Sequence, residues 1–427
     1  MQSEALHIKQ AKVIDPGSPY HLKQCDLIIE EGKIKQIAPV LESNAGHVIQ
    51  NNNLHISPGW FDLRAHFCDP GEEHKEDLYS GVRAAARGGF TGVALAPHTH
   101  PVVDNKATIE YLTKPWKDIP VTIYPLAAVS KGLKGAELSE MYDLYEAGAA
   151  GFSNGNQPLT NTNIAKLAMQ YAREFAPALH LEASNFYLRQ GGQMHEGAQS
   201  ALLGLRGIPS LTEEIALPEL LHLAEYAETT IHLCGISSQR SLKILKRPEY
   251  KNRFTADVNL ANLIFSDQDL EEYNSFYKVY PPLRENADQK ALWEALETGL
   301  ITAIASQHEP QAVEDKRCEY EIANWGMATL EIFFGALCTA GKERLSLEKM
   351  IELISINPRK ILQLKPVCIA ENEEADITLF DPDLQWEFNT DDTESKAANY
   401  PFHQHTFTGK ALGTIQGERA LLSSHLQ

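Results

Sequence analysis

Between residues 58 and 307 the chain alternates short apolar runs with longer stretches of helical periodicity. The apolar runs fall at 59–66, 91–97, 121–129, 150–154, 178–183, 230–236, 254–258 and 301–306. Helical spacing fills most of the gaps, at 75–87, 161–175, 212–228 and 286–297, with acidic first turns or a following glycine such as Gly88 or Gly299. Eight strands in alternation with helices predict an α/β fold, a (β/α)8 TIM barrel. The flanks follow a different rhythm. Residues 5–40 alternate as short strands around a hairpin turn at Glu30-Glu31-Gly32-Lys33, and 374–424 return to that style in ADITLFDP and GTIQGERALL. The expected organisation is therefore a barrel over 56–359, with 1–55 and 360–427 forming one small composite β-sandwich domain.

Composition narrows the class. At 427 residues, with 43% hydrophobic and 22% charged, the chain can bury a large core, and its formal net charge of −19 argues against nucleic acid or an anionic membrane as partner. The six cysteines are scattered without a CxxC pair, and no run reaches the roughly 18 apolar residues of a membrane span. A cytoplasmic protein with reduced thiols is expected.

Barrel enzymes place their chemistry at the C-terminal ends of the strands. Those ends carry Arg64 and His66 on strand one, His98 and His100 on strand two, Asn154 on strand four, and His180 and Glu182 on strand five. Strand six adds Cys234, Gly235 and Ser237, strand seven Asn259, and strand eight Gln307 and His308. Histidines are plentiful there and carboxylates scarce. On strand one, Asp62, Arg64 and His66 stand at alternate positions, the spacing that puts side chains on one face.

Several stretches in order along the chain, SPGWFDLRAHFCDPG, GGFTGVALAPHTHP, GFSNGNQPL, HLEASNFYLRQGGQMHEG, GLRGIPSLTEE, KVYPPLR, TAIASQHEPQ, INPRKIL and ADITLFDP, resemble the cyclic amidohydrolases and, more narrowly, the type I dihydroorotases. That resemblance implies metal-dependent interconversion of carbamoyl aspartate and dihydroorotate, in which bound metal brings a water's pKa from 15.7 toward roughly 7. It also exposes departures. The family motif Asp-x-His-x-His-x-Arg reads Asp62-Leu63-Arg64-Ala65-His66-Phe67-Cys68, so a metal histidine is Arg64 and the arginine for the substrate carboxylate is Cys68. Phe-Ser-Asp-Asp-Gly has become Phe152-Ser153-Asn154-Gly155-Asn156, and Gly235 stands for a metal histidine. In Asp-His-Ala-Pro-His the aspartate, ligand and general base, is Gln307, and the second histidine, a substrate contact, is Gln311. His98 takes the place of a substrate asparagine.

Of the family metal positions only His66 and His180 keep their type. Catalytic zinc usually needs three protein ligands, and Arg64 would repel a dication by several kcal/mol. The leading expectation is a dihydroorotase homologue without catalysis and without a cofactor. By analogy within the family it would serve as a structural or regulatory partner of aspartate carbamoyltransferase, or associate with itself. Arg64 is expected to pair with Asp62 or Glu182, and Cys68 and Cys234 to be inert. Two alternatives stand beside it. One is an active zinc enzyme, dihydroorotase or another cyclic amidohydrolase, whose site is rebuilt from His98, His100 and His308. The other is a small-molecule sensor, with Arg64, Lys278 and Arg284 available to an anion.

Overall fold

The computed structural model describes residues 5–42, 46–402 and 404–426. Eight parallel strands follow one another around a barrel: β1 (Trp60–Ala65), β2 (Phe90–Leu95), β3 (Thr122–Ala128), β4 (Gly151–Ser153), β5 (Leu179–Glu182), β6 (Ile231–Cys234), β7 (Phe254–Asn259) and β8 (Ala303–Ala305). Each pairs with the next in sequence, and β8 returns to β1 where Ala65 bridges His308 and the His66 amide donates to the His308 carbonyl at 2.9 Å. This is the barrel that the strand rhythm predicts.

Why the elements begin and end where they do is visible at the first helix. The periodicity predicts a start at residue 75, but the helix spans Leu78–Arg87 because Asp77 caps it, its carboxylate accepting the Ser80 amide at 2.8 Å. Lys75 and Glu76 stay in the entry turn, near the barrel rim. Thr162–Ala172, Leu211–Tyr226 and Asn286–Glu297 lie close to their expected positions, and the apolar faces of the barrel helices pack onto the strands as one core around Trp60, Phe90, Phe152, Leu217 and Trp293.

Both ends of the chain share a second, eight-stranded sheet. Its order runs Arg419–Leu422, His405–Gln416, Asp376–Phe388, His55–Pro58, Leu6–Val13, Gln24–Glu30 and Lys33–Ala38, with His47–Ile49 added to Leu6–Val13. The expected hairpin at 30–33 is present, with Glu31 and Gly32 both at positive φ. This sheet has its own apolar core of Ile8, Leu27, Ile56, Ile377 and Leu412.

Two of the sequence landmarks join sheet to barrel. Arg359 of INPRKIL donates to Asp376 of ADITLFDP at 2.9 Å, and Thr91 of β2 donates to the same carboxylate at 2.5 Å. Gly59 closes this joint: its amide donates to the Asp376 carbonyl at 2.9 Å, and a Cβ there would stand 2.0 Å from both the Asp376 carboxylate and the Thr91 hydroxyl. Gly59→Ala is therefore expected to lower stability by about 1–3 kcal/mol, the cost of overpacking a tight site. Urea unfolding of the variant measures it, and an unchanged midpoint would show that the joint yields.

Candidate metal and substrate site at the barrel mouth

Arg64 fills the centre of the mouth. Its guanidinium donates to the Asp257 carboxylate at 3.0 Å, to the Asn259 side-chain carbonyl and to the Gln307 side-chain carbonyl, so it ties β1 to β7 and to the end of β8. Asp257 is fully buried and also receives His232 Nε2 at 2.9 Å and the Gly235 amide at 2.6 Å. Burial alone would raise this carboxyl, but Arg64 and the His232 bond outweigh it and hold it well below the usual carboxylate range.

Asp257 is thus the partner of Arg64, in place of the expected Asp62 or Glu182. Asp62 turns to the neighbouring strand and accepts the amide and hydroxyl of Ser306 at 2.8 and 2.5 Å, and burial pushes its pKa up to about 6. Glu182 pairs with Arg189 at 2.8 Å and is likewise pushed by burial, to about 7. The pairing of β1 with β2 shifts register between Asp62 and Ala65, so the strict alternation read from the sequence breaks there.

The other positions singled out by the resemblance are placed as follows. Asn154 accepts from Ser130 at 2.8 Å and donates to the Gln157 carbonyl at 3.0 Å, holding two loops. Gly235 sits at φ +63, and a Cβ there would lie 3.1 Å from Pro281. Gln311 donates to the Trp325 carbonyl at 2.9 Å. His180 is buried with its Nε2 unpartnered, near His232 and Cys234. One cavity at the mouth, lined by Asn156, Asn259, Tyr280, Gln307, Glu309 and Trp325, measures about 20 Å³, and another, beside Asn154, Glu182 and Ser184, about 80 Å³. Ligand pockets run to about 300 Å³ or more. Tyr280 and Trp325 stand over the smaller one edge to face, their ring centroids 5.8 Å apart.

The rebuilt site expected from His98, His100 and His308 does not form. His308 is fully buried, accepts the Thr329 amide at 3.1 Å and faces Glu76 at 3.6 Å, while His100 is exposed. Lys278 and Arg284 do not offer themselves to an anion: Lys278 donates to the Tyr320 and Glu321 carbonyls, and Arg284 to Ser237, His195 and the Ile208 carbonyl. His98 instead meets His66 and Glu309. His98 Nε2 and His66 Nδ1 stand 3.0 and 3.3 Å from one Glu309 oxygen. Burial opposes ionisation of Glu309, but the two imidazoles overcome it and hold the carboxyl well below its usual range. The Cys68 sulfur lies 3.6 Å from His66 Nδ1, a neighbour the sequence did not reveal, but burial still pushes its thiol up.

Sequence reading missed Asp257 and Glu309. Asp257 hides inside the apolar run of β7, and a lone acid in such a run was the available signal. Glu309 occupies the alanine place of the family's Asp-His-Ala-Pro-His, a carboxylate gained where others are lost.

A closed parallel barrel with histidines and carboxylates at the strand ends, joined to a sheet from both termini, defines the amidohydrolase class. The solved structures agree in fold: L-hydantoinase (dihydropyrimidinase) from Arthrobacter aurescens superposes with a TM-score of 0.86 at 20% identity, covering 98% of this chain and 96% of that one. Dihydropyrimidinase from Brevibacillus agri gives 0.83 at 19% identity over 99% and 95%. Within that class the chain belongs to the dihydroorotase family. Residues 54–241 match the family described as dihydro-orotase-like. The dihydroorotase of Pelotomaculum thermopropionicum is 34% identical across 99% of both chains, and that of Ruminiclostridium cellulolyticum 35% identical across 96% of this chain and 97% of its own.

Membership corrects the expectation that no cofactor is needed, since this is a family of zinc-dependent hydrolases. Among the described residues, two groups of three metal-ligating side chains have donor atoms within 4.8 Å of one another: His180, His232 and Cys234, and His66, His98 and Glu309. The first does not fit a dication. Both His232 nitrogens are engaged, by Thr255 at 2.8 Å and Asp257 at 2.9 Å, and burial pushes the Cys234 thiol up to about 12 although Arg64 beside it opposes that shift. The second fits one: it has an ionised carboxylate, two imidazoles, and no lysine or arginine paired to Glu309 among the described residues.

Truncating Arg64 strands the buried Asp257 charge, so Arg64→Ala is expected to cost about 3–5 kcal/mol at neutral pH. A carboxyl depressed in the fold contributes stability above the ordinary pKa of about 3.9 and loses it as the pH falls below. The gap between wild type and Arg64→Ala should therefore narrow from pH 6 toward about pH 3, where protonation relieves the stranded charge. Denaturant melts across that range test it. A gap of equal size at both ends would remove Asp257 from the explanation.

Proposed function

We propose that this dihydroorotase homologue does not turn over dihydroorotate and acts as a structural or regulatory partner in pyrimidine biosynthesis, with aspartate carbamoyltransferase as the protein it assembles with. The observation that carries the first half is the guanidinium of Arg64, anchored by Asp257, Asn259 and Gln307 where the family places a metal histidine. In the family, bound zinc supplies the nucleophilic hydroxide and a carboxylate accepts its proton. In this chain the base position is Gln307, whose amide cannot accept that proton and whose oxygen already takes a hydrogen bond from Arg64. Loss of a positioned base alone costs about 100- to 10,000-fold. The small cavities at the mouth, about 20 and 80 Å³, support the same reading, because a ring with its carboxylate needs more.

A scaffold kept over its whole length with its reaction groups spent on internal bonds supports an assembly role. Six free cysteines, and no helix among the described residues long and apolar enough to cross a membrane, support a cytoplasmic place for it.

Restoring the motif piecemeal should not restore the enzyme, since groups that act as a unit are non-additive. Arg64→His with added zinc is expected to give no ring opening of dihydroorotate. Arg64→His with Gly235→His and Gln307→Asp should fail too, because Gly235 holds a left-handed backbone with Pro281 3.1 Å from any Cβ. Turnover by wild type or by Arg64→His alone would overturn the proposal. The partner half is read by sedimentation of the chain with the aspartate carbamoyltransferase of the same cell: co-migration at a fixed ratio is expected, and independent migration at micromolar concentrations sinks it.

A further inference from the structure

We propose that His66, His98 and Glu309 form a site for one divalent transition-metal ion at the rim of the barrel mouth, which keeps one family position, His66, and takes its other two ligands from places the family does not use for metal. It stands independently of the assembly role, since a bound ion without turnover is compatible with that role.

The argument begins with convergence. Two rings stacked at 4.1 Å between centroids, one from the end of β1 and one from the loop after β2, each turn a nitrogen toward the same oxygen of Glu309. Bonds of about 2.0–2.1 Å in a tetrahedral site put donor atoms about 3.3–3.4 Å apart. The 3.0 and 3.3 Å separations here are close to that spacing, so an ion can enter with small side-chain movements. Cys68, whose sulfur lies 3.6 Å from His66 Nδ1, is held at φ +58, a conformation unusual outside glycine that concentrates at functional sites.

The ligands are available. His66 Nε2 and His98 Nδ1, the nitrogens away from Glu309, make no hydrogen bond. Without an ion the carboxylate, which only accepts, holds the protons on the two nitrogens that face it, and an ion bound there takes the place of those protons. The Asn156 amide also reaches His98 Nε2, at 3.3 Å, and an ion would displace that contact. There is a way in: the side chains of His98 and Glu309 are 17% and 12% exposed. Two imidazoles and a carboxylate suit zinc or iron(II) over calcium or magnesium.

Chelator-stripped full-length protein, titrated with zinc and passed through gel filtration, is expected to retain about one ion per chain. Glu309→Gln and His98→Asn should each weaken zinc binding by more than the roughly 10–100-fold that loss of an outer partner costs. His180→Asn and Cys234→Ser should leave it intact. Circular dichroism checks the fold of each variant, and if Glu309→Gln does not fold, the partly exposed His98 position decides. Failure of wild type to retain zinc overturns the site, as does retention that survives His98→Asn or is lost in His180→Asn.

Discussion

The pairing of Arg64 with Asp257 is the constraint around which the barrel mouth is arranged. A guanidinium cannot shed its charge inside a protein, so once it stands on β1 a buried anion has to face it. Asp257 supplies that anion, with His232 and the Gly235 amide completing the shell of the carboxylate. The remaining arginine donors reach Asn259 and Gln307, which brings three strands to one side chain. A buried pair of this kind contributes little net stability, because desolvation consumes most of the attraction, but removal of either half is expensive. The mouth can therefore drift in its other residues far more easily than in these two.

That asymmetry accounts for the condition of the other family positions. With the Arg64 cation fixed on β1, Gly235 adopts a left-handed turn that brings its amide onto Asp257. Asn154 keeps the shape of an aspartate without its charge and joins two loops. Gln307 keeps a side-chain oxygen and offers it to Arg64. Each replacement is hydrogen-bonded where it stands, as buried polar groups must be.

The barrel and the sheet from both termini were legible in the sequence because both depend on periodicity, which local residues carry. The landmarks INPRKIL and ADITLFDP were legible as well, and Arg359 and Asp376 give them a physical role in joining sheet to barrel. The departures from the family motifs at Arg64, Asn154, Gly235 and Gln307 could be read directly. What surrounds those residues could not, because it depends on register and on distance across the barrel. The shift between Asp62 and Ala65 separates Asp62 from Arg64, and it is β7, remote in sequence, that supplies the counter-charge. The grouping of His98 with His66 and Glu309, apart from His100 and His308, depends in the same way on the paths of the loops after β2 and β8.

The chain as a whole carries a net charge of −19, yet the charges at its mouth are unevenly matched. Arg64 has a full negative charge against it at 3.0 Å, so the two charges match each other. Glu309 has only two imidazoles, and neutral rings do not balance a carboxylate. A dication set beside Arg64 would be repelled by several kcal/mol at an effective dielectric near 20, whereas beside Glu309 the same arithmetic attracts. The electrostatics of the mouth therefore differ from side to side: the cation on β1 is matched by Asp257, while Glu309 stands between two histidines with no cation beside it among the described residues.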